Sequence, residues 1–336
     1  MTDAVPTRHA LVTGGAGFIG SHLVEALLAR GDRVTVIDDF STGRRSNLDA
    51  ASAKWGSRLR VIEGRVGAVL ESSLPRPDLV FHLAAAVGVR LVVERPIHTI
   101  ENNVLETSAL LRFAASHESP TLVASTSEVY GKGVRTPFRE DDDVLYGPTS
   151  VTRWSYACSK AIDEYLALAY HREHGLPVVV VRLFNTVGPR QVGDYGMVLP
   201  SFVERALRGE PLEVHGDGQQ TRCFCDVRDV VPGLVALVGN EACRGRIFNL
   251  GRDEPISIES LAQRVVRALG SRSPVRLVPY KDVFPVQFDD LRVRQPDLAR
   301  VREAIGFSPS IDLERTIRDL AAEIERRLAG SRSAAS

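Results

Sequence analysis

The chain has 336 residues, of which 44% are hydrophobic, so it is long enough for one large domain and a smaller one. Lysine plus arginine and aspartate plus glutamate both number 42, which gives a formal net charge of zero. A balanced chain lacks the long-range attraction that nucleic acid or an anionic membrane requires, and we exclude both as main partners.

The sequence contains four cysteines and no Cys-x-x-Cys pair, so we expect reduced thiols and no bound metal. The N-terminus is short and polar, and no apolar run reaches the length of a membrane span. These features favour a cytoplasmic protein. The small and polar residues 331–336 are expected to form a flexible tail.

The first predicted unit is a strand at His9–Thr13 that leads through a glycine-rich turn into a helix at Ser21–Arg30. Gly14, Gly17 and Gly20 have the spacing of a dinucleotide-binding fingerprint. The first glycine permits the tight turn, the second lets backbone N–H groups approach a pyrophosphate, and the third lets the helix pack on the strand. The N-terminus of the helix then faces the phosphates.

The second predicted strand, Arg33–Ile37, ends at Asp38 and Asp39. A carboxylate at this place holds a ribose 2′-hydroxyl and repels a 2′-phosphate, so the pair favours NAD over NADP. Arg44 and Arg45 lie close by in sequence and count against that preference.

Further strands alternate with helical patterns along the next part of the chain. The strands are Leu59–Gly64, Asp78–Ala86, Thr121–Thr126 and Leu176–Val181, and the helices are Pro96–His117 and a segment from about Tyr156 to Glu173. This alternation predicts an α/β fold with a doubly wound parallel (Rossmann) sheet, whose ligands bind at the carboxyl ends of the strands. We interpret His82 as a packed core residue and expect one amide of the Asn102–Asn103 pair to face the cofactor.

The character of the sequence changes after Asn185. Leu212–Gly218 is predicted to be a strand and turn, and Thr221–Val227 and Arg246–Leu250 are predicted strands. The predicted helices are Leu199–Arg208, Asp229–Leu237, Ser257–Leu269 and Leu313–Leu328. We therefore predict an NAD-binding domain at 1–184. A smaller α/β substrate-binding domain is predicted mainly at 185–330, with some segments returning to the first domain.

The candidate catalytic residues lie where the fifth strand meets the following helix. Tyr156 and Lys160 are four residues apart and share one face of the helix. A neighbouring ammonium favours the phenolate, so we expect Lys160 to lower the pKa of Tyr156 and make it a base. The Thr126 hydroxyl can hold the same substrate oxygen, and Glu128 adds a second acid or base.

Taken together, these motifs resemble the extended short-chain dehydrogenase/reductase superfamily, in particular its NAD-dependent nucleotide-sugar epimerases, dehydratases and decarboxylases. The resemblance covers His9 to Leu328. Besides the glycine turn, it rests on His82-Leu-Ala-Ala85, Asn103-Val, Ser125-Thr126 ahead of Val129-Tyr130-Gly131, Tyr156-x-x-x-Lys160, Arg182-x-Phe-Asn185-x-x-Gly188-Pro189-Arg190, and Gly216-Asp-Gly-x-Gln220-Thr-Arg222.

The resemblance implies roles for particular residues. Tyr156 is the implied base, Lys160 lowers its pKa and holds the nicotinamide ribose, and Thr126 binds the sugar 4-oxygen. The implied cofactor-binding residues are Gly14, Gly17, Phe18, Ile19, Gly20, Asp38, Asp39, Leu83, Ala84, Ala85, Asn103, Tyr156 and Lys160. The implied substrate-binding residues are Thr126, Glu128, Tyr156, Asn185, Val214, Gly216, Arg222 and Arg294, of which Asn185, Arg222 and Arg294 hold the diphosphate and Val214 to Gly216 lie near the base.

Two further expectations depend on the same resemblance. The family usually has an acidic residue after Gly64 that contacts adenine, and here Arg65 occupies that place. The superfamily dimerises through a four-helix bundle, so we expect a homodimer built on the helices around 103–117 and 156–173.

The residues around Glu128 decide which branch of the family the chain resembles most. The run Thr126-Ser127-Glu128 lacks the Asp that donates a proton in 4,6-dehydratases, and a 4-epimerase needs no acid or base beyond Tyr156. A UDP-glucuronate decarboxylase forms a β-keto acid at C4, loses CO2 and must then protonate C5, a task for Glu128 or a water it holds. The segment from Phe288 to Pro296 matches one that carries an active-site arginine in these decarboxylases, which implies Arg294.

We therefore expect NAD-dependent decarboxylation of UDP-glucuronic acid to UDP-xylose or its 4-keto form. The alternatives are 4-epimerisation of a UDP-sugar and, after it, dehydration of a nucleotide sugar. A Rossmann-type protein that binds NAD without chemistry is a different class. Such a protein would lack the base, whereas Tyr156, Lys160 and Thr126 are all present here.

Overall fold

The computed structural model describes residues 7–333 apart from 73, 87, 89–91, 93, 194–196 and 284–290. The strands are β1 (His9–Thr13), β2 (Arg33–Asp38), β3 (Leu59–Glu63), β4 (Leu79–His82), β5 (Thr121–Thr126), β6 (Val178–Leu183), β7 (Thr186–Val187), β8 (Leu212–His215), β9 (Thr221–Cys223), β10 (Cys225–Asp226), β11 (Arg246–Leu250), β12 (Pro255–Ser257), β13 (Val275–Val278) and β14 (Val293–Arg294). The α-helices are α1 (Phe18–Arg30), α2 (Asp49–Trp55), α3 (Val66–Leu70), α4 (Pro96–Ser116), α5 (Trp154–His174), α6 (Val198–Arg208), α7 (Val227–Gly239), α8 (Ile258–Ala268), α9 (Tyr280–Val283), α10 (Ala299–Ile305) and α11 (Leu313–Ser333).

Seven parallel strands form the central sheet in the order β11-β6-β5-β4-β1-β2-β3. The order reverses direction at β1, because β2 lies on one side of it and β4 on the other. In a doubly wound sheet this reversal opens a crevice at the carboxyl ends of the strands. The predicted Rossmann sheet is therefore confirmed, and the site has to be sought at the ends of β1, β2, β4 and β5.

Helices cover both faces of the sheet because its strands are apolar on both faces. Leu23 and Leu27 of α1 and Leu234 of α7 pack in the core on one face. Leu111 of α4 and Ala167 of α5 pack in a core on the other face. A separate core joins α6, α8, α11 and β8 in the C-terminal half of the chain.

The structure revises the limits of three predicted strands. The predicted fourth strand ran to Ala86, whereas β4 ends at His82 and a loop follows. The sixth strand is shifted towards the C-terminus, because β6 pairs with β5 as far as Leu183, which lies opposite Thr126. The predicted strand Thr221–Val227 is divided into β9, which joins β12 and β14, and β10, which pairs with β7.

The segment Arg246–Leu250 lies at the edge of the central sheet. It belongs to this sheet although it lies about 60 residues beyond residue 185, where the predicted second domain begins. As β11 it pairs in parallel with β6 along its whole length. Among the residues that the structure describes, no helix is both long enough and apolar enough to cross a membrane.

Candidate active site

The glycine turn between β1 and α1 is sterically closed to other residues at two positions. Gly14 has φ +70°, and a Cβ there would lie 2.7 Å from the Ala84 nitrogen. A Cβ on Gly20 would lie 2.0 Å from the Gly14 carbonyl oxygen. Both glycines are therefore needed to bring the N-terminus of α1 against the end of β1, which is the cradle that a pyrophosphate requires.

Asp38 is buried at the end of β2, where it organises the backbone around the glycine turn. Its carboxylate accepts hydrogen bonds from the Ala16 nitrogen at 2.8 Å and from the Phe40 nitrogen at 2.9 Å. Burial raises the pKa of Asp38, and these two backbone donors oppose that rise. Arg45 lies over the Phe40 ring at 4.2 Å and forms an ion pair with Glu63. One of the two arginines that follow Asp38 in the sequence therefore already has an acidic partner.

The loop after β4 supplies the opposite wall of the crevice. The Leu83 nitrogen donates to the Thr13 carbonyl oxygen at 3.1 Å, and the Ala84 nitrogen to the Thr13 hydroxyl at 3.3 Å. Asn103 of α4 is buried, and its Oδ1 accepts from the Ala86 nitrogen at 2.9 Å. Asn103 is thus the inward-facing amide of the pair, and it fixes the loop that contains Leu83, Ala84 and Ala85.

Arg65, which departs from the family pattern, is held by an acid from another element. Its Nε donates to Glu106 Oε1 of α4 at 3.0 Å, and the other oxygen of Glu106 accepts from the Gly67 nitrogen at 2.5 Å. Asp39 remains at the surface, where it accepts from Ser41. Gly14, Gly17 and Gly20 in the turn after β1 and Asp38 at the end of β2 fit a bound dinucleotide.

Tyr156 lies in the first turn of α5 and is 8% exposed. Burial raises the pKa of Tyr156 above its ordinary value, and the Glu128 carboxylate raises it further. A hydrogen bond with the Thr126 side chain and the charge of Arg294 act in the opposite direction. Thr126 and Tyr156 therefore meet as predicted, at the point where β5 ends.

Lys160 was expected to lower the pKa of Tyr156, but in the structure burial and the carboxylates of Glu128 and Asp163 raise that pKa. Lys160 is 2% exposed, and its Nζ donates to Asp163 Oδ2 at 2.7 Å. The ammonium is paired within its own helix, and the carboxylate of Asp163 raises the pKa of Tyr156. Sequence reasoning missed Asp163, although its spacing of seven residues from Tyr156 places it on the same helical face.

Glu128 and Arg294 form an ion pair beside Tyr156. The Arg294 Nη1 donates to Glu128 Oε1 at 3.1 Å, and the two side chains are 11% and 18% exposed. The Nε of Arg294 is buried without a hydrogen-bond partner among the described residues. The resemblance implied a diphosphate contact for Arg294, whereas the structure places its guanidinium on Glu128, 166 residues away in the chain.

The remaining implied substrate residues line the same side of the C-terminal half. Arg222 lies opposite Arg294 in the β9–β14 pair, and its Nη1 donates to the carbonyls of Thr221 and Leu291. The Oδ1 of Asn185 is buried without a partner among the described residues, as expected of a group that awaits a ligand.

Val214 and Gly216 lie at the carboxyl end of β8. The Val214 side chain is fully buried, and a Cβ on Gly216 would lie 2.4 Å from the Tyr280 ring. The Tyr280 hydroxyl accepts from Gln220 Nε2 at 3.2 Å.

Three comparisons with known proteins extend this description. A model of the NAD-dependent epimerase/dehydratase family matches residues 10–251. UDP-N-acetyl-alpha-D-glucosaminuronate decarboxylase of Bacillus cytotoxicus is 40% identical over 322 residues, which are 93% of this chain and 96% of that protein. UDP-glucuronic acid decarboxylase 1 of Arabidopsis thaliana is 36% identical, over 95% of this chain and 70% of that protein.

Two solved structures show the same fold. A UDP-N-acetylglucosamine 4-epimerase from Methanobrevibacter ruminantium, in complex with UDP-N-acetylmuramic acid, has a TM-score of 0.86 and 28% identity and covers 96% of this chain and 100% of its own. The dTDP-glucose 4,6-dehydratase DesIV from Streptomyces venezuelae, with NAD bound, has a TM-score of 0.84 and 29% identity and covers 95% of this chain and 98% of its own.

Proposed function

The chain belongs to the NAD-dependent epimerase/dehydratase family, and from that premise we propose that it decarboxylates UDP-glucuronic acid to UDP-xylose or UDP-4-keto-xylose. The observation that carries the proposal is the ion pair of Glu128 and Arg294 beside Tyr156. Inversion at C4 needs no such pair. Loss of a carboxylate from C5 leaves an enolate, whose charge a cation can stabilise and whose C5 must then receive a proton.

The glycine turn, Asp38 and Lys160 would hold the coenzyme, which when bound would accept hydride from the sugar C4 and would return it to C4 where the product is UDP-xylose. Tyr156 removes the proton of the 4-hydroxyl group, while Thr126 donates a hydrogen bond to the same oxygen. The ketone at C4 converts the C5 carboxylate into a β-keto acid, which loses CO2 without a leaving-group acid. Arg294 binds the carboxylate and then the enolate charge, and Glu128, or a water it holds, manages the proton that C5 receives.

Names of the relatives support the nucleotide and the acid. Both curated relatives are named as decarboxylases of a UDP-linked uronic acid. The sugar in the name of the Bacillus cytotoxicus protein carries an N-acetyl group, and the sugar in the name of the Arabidopsis thaliana protein does not. The direct test is mass spectrometry of the product after incubation with UDP-glucuronic acid and NAD. We expect a product that has lost CO2. Conversion to UDP-galacturonic acid, with the carbon count unchanged, would overturn the proposal.

A 4-epimerase is the second candidate, because solved 4-epimerases with UDP-sugars share the fold over nearly the whole chain. The same experiment separates the two functions. A dehydratase is disfavoured, since Ser127 lies where the resemblance would place the acid and is 2% exposed. Substitution Tyr156→Phe tests for an enzyme of any of these classes, and we expect it to abolish turnover while NAD still binds.

Three further points belong to the same proposal. We propose a homodimer built on α4 and α5, which pack against each other and expose Ile97, Leu105, Ile162 and Tyr165.

The domain division at 184/185, with β11 returning to the first domain, is supported by the separate core of the C-terminal half. A cytoplasmic location is supported by four free thiols.

A further inference from the structure

A buried ion pair lies behind the candidate base. Tyr156, Lys160 and Asp163 follow one another on α5 at spacings of four and three residues, which places them on one face of the helix. The Lys160 Nζ lies 2.7 Å from Asp163 Oδ2, and the two side chains are 3% and 0% exposed. An ion pair so completely buried is costly in free energy unless other hydrogen bonds support it.

Part of that support comes from buried side chains that reach from α4 to β1. The Thr107 side chain of α4 favours the Asp163 anion, while Asp163 Oδ1 is buried without a hydrogen-bond partner among the described residues. The Thr107 hydroxyl lies 3.0 Å from His82 Nε2, and His82 Nδ1 lies 2.7 Å from the Thr13 hydroxyl. Thr13, His82 and Thr107 are each 1% exposed or less. These three side chains therefore connect the end of the glycine-turn strand to a residue next to Asp163.

The chemistry of the His82 ring limits the directions of its two hydrogen bonds. Burial lowers the pKa of His82 to about 3, so the ring is neutral. One nitrogen of a neutral imidazole donates and the other accepts, so His82 donates to one of the two threonine hydroxyls and accepts from the other. Burial raises the pKa of Asp163, and Lys160 and Thr107 oppose that rise by stabilising the anion.

We propose that Asp163 is a positioning residue, which holds the Lys160 ammonium on the Tyr156 face of α5 and sets the pH range in which the enzyme works. The proposal rests on the proposed function, in which Tyr156 is the base. With Asp163 in place, Tyr156 faces a neutral ion pair. Without the carboxylate, Tyr156 would face an unopposed ammonium, and its phenolate would form at lower pH.

Other charged groups also act on the base. Glu128 after β5 and Arg294 of β14 act on Tyr156, and the neutral ring of His82 of β4 lies near Lys160. Glu164 of α5, which pairs with Arg182 of β6, acts on Asp163. None of them is altered by a change at Asp163 alone, so the effect of that carboxylate can be measured separately.

The experiment is the pH dependence of kcat for CO2 release from UDP-glucuronic acid by the full chain with NAD. We expect Asp163→Asn to move the acidic limb of the profile to lower pH by about one unit, so that about tenfold more acid is needed to halve the rate. KM is expected to stay within about twofold, because Asp163 contacts no substrate. Asp163→Glu, which keeps the charge, is expected to restore most of the wild-type profile.

Two further variants keep the test decisive. Thr107→Val removes the hydroxyl that favours the Asp163 anion, and we expect a smaller shift in the same direction even if Asp163→Asn does not fold. Glu173→Gln removes an exposed carboxylate from the same helix and is expected to leave the profile unchanged. A wild-type profile in folded Asp163→Asn and Thr107→Val, or a shift to higher pH, overturns the inference. Turnover by Tyr156→Phe would instead overturn the proposed function.

Discussion

At the scale of single residues, the site is organised by partners that lie far apart in the sequence. Glu128 follows β5 and Arg294 comes from β14, and their contact brings an acid and a cation to one side of Tyr156. The sequence motif identified both residues, but it did not indicate that they would meet. Their pairing follows from the β9–β14 register, which depends on the fold of the whole C-terminal half.

Glu128 should be needed for the steps after oxidation at C4. We expect Glu128→Gln to slow steady-state CO2 release by about 100-fold or more, because turnover cannot be completed when the side chain no longer exchanges the proton that C5 receives after CO2 has left. NADH formation in a single turnover should persist, since removal of this carboxylate also favours the Tyr156 phenolate. Stopped-flow absorbance and CO2 capture measure the two steps. Equal loss of both would contradict the assigned role, and Glu128→Asp is the control that keeps an acid.

His82 should make the stability of the protein depend on pH. Its pKa is lowered to about 3 by burial, whereas it is about 6.5 in the unfolded chain. The unfolded state then binds more protons between these values, so stability is fully present above about pH 6.5 and is lost as the pH falls towards 3. We expect this residue to remove about 2 kcal/mol from the free energy of unfolding between about pH 7.5 and pH 5.

Urea denaturation at the two pH values measures that loss. The variant His82→Gln has no titrating ring. Between about pH 7.5 and pH 5 its free energy of unfolding should therefore fall by about 2 kcal/mol less than that of the wild-type protein. An equal pH dependence in the two proteins would show that His82 is protonated without penalty in the folded state.

At the scale of secondary-structure elements, α5 is fastened to the sheet by a buried polar network. Arg182 of β6 binds Glu164 through its Nε and Nη2 at 2.9 and 2.7 Å, and Ser125 of β5 donates to Glu164 at 2.5 Å. The same guanidinium lies over the Tyr130 ring at 4.6 Å. This network fixes the helix that carries Tyr156 against the strand that carries Thr126.

Breaking this network should be costly. We expect Arg182→Met to lower the free energy of unfolding by about 3–5 kcal/mol, because Glu164 is left as a buried charge without its partner. The control is Glu204→Gln, which removes the more exposed i,i+4 pair with Arg208 and should cost about 0.3–0.5 kcal/mol. Urea denaturation of both variants gives the comparison. Similar costs would mean that Glu164 finds another partner or a proton.

The sequence was sufficient to predict most elements of the sheet and the residues of the crevice, because hydrophobic runs and glycine spacing are local signals. His9–Thr13, Thr121–Thr126 and Arg246–Leu250 were predicted with their observed limits. The end of β6 was not, since Arg182 interrupts the apolar run and is accommodated only by Glu164. Asp163 was missed because its role depends on the complete burial of its pair with Lys160, which the packing of α5 sets and spacing alone does not indicate.

At the scale of the whole molecule, α4 and α5 present an apolar surface that a monomer would leave in water. Ile97, Leu105 and Tyr165 are 71%, 58% and 69% exposed. If these helices form the proposed four-helix bundle, Tyr165→Glu should convert the homodimer to a monomer, because the new carboxylate would be buried against its symmetry mate. Light scattering coupled to size-exclusion chromatography measures the mass.

The matched control is Leu277→Glu. Leu277 is 55% exposed on β13, away from α4 and α5, and its substitution should leave the mass unchanged. A dimer that survives Tyr165→Glu, or a wild-type protein that is already monomeric, would contradict the proposed arrangement.

The position of β11 has a consequence for how this chain can be divided. The Gly245 nitrogen, just before β11, donates to the Val178 carbonyl oxygen at 2.7 Å. The Phe184 nitrogen, just after β6, donates to the Leu250 carbonyl oxygen at 2.9 Å, so β11 is bonded to β6 at both ends. A fragment ending at residue 184 would leave the valine-rich β6 as an open edge, ready to recruit the same strand from other copies. Truncation or recombination of the two halves must therefore carry residues 246–250 along, or the product is expected to precipitate.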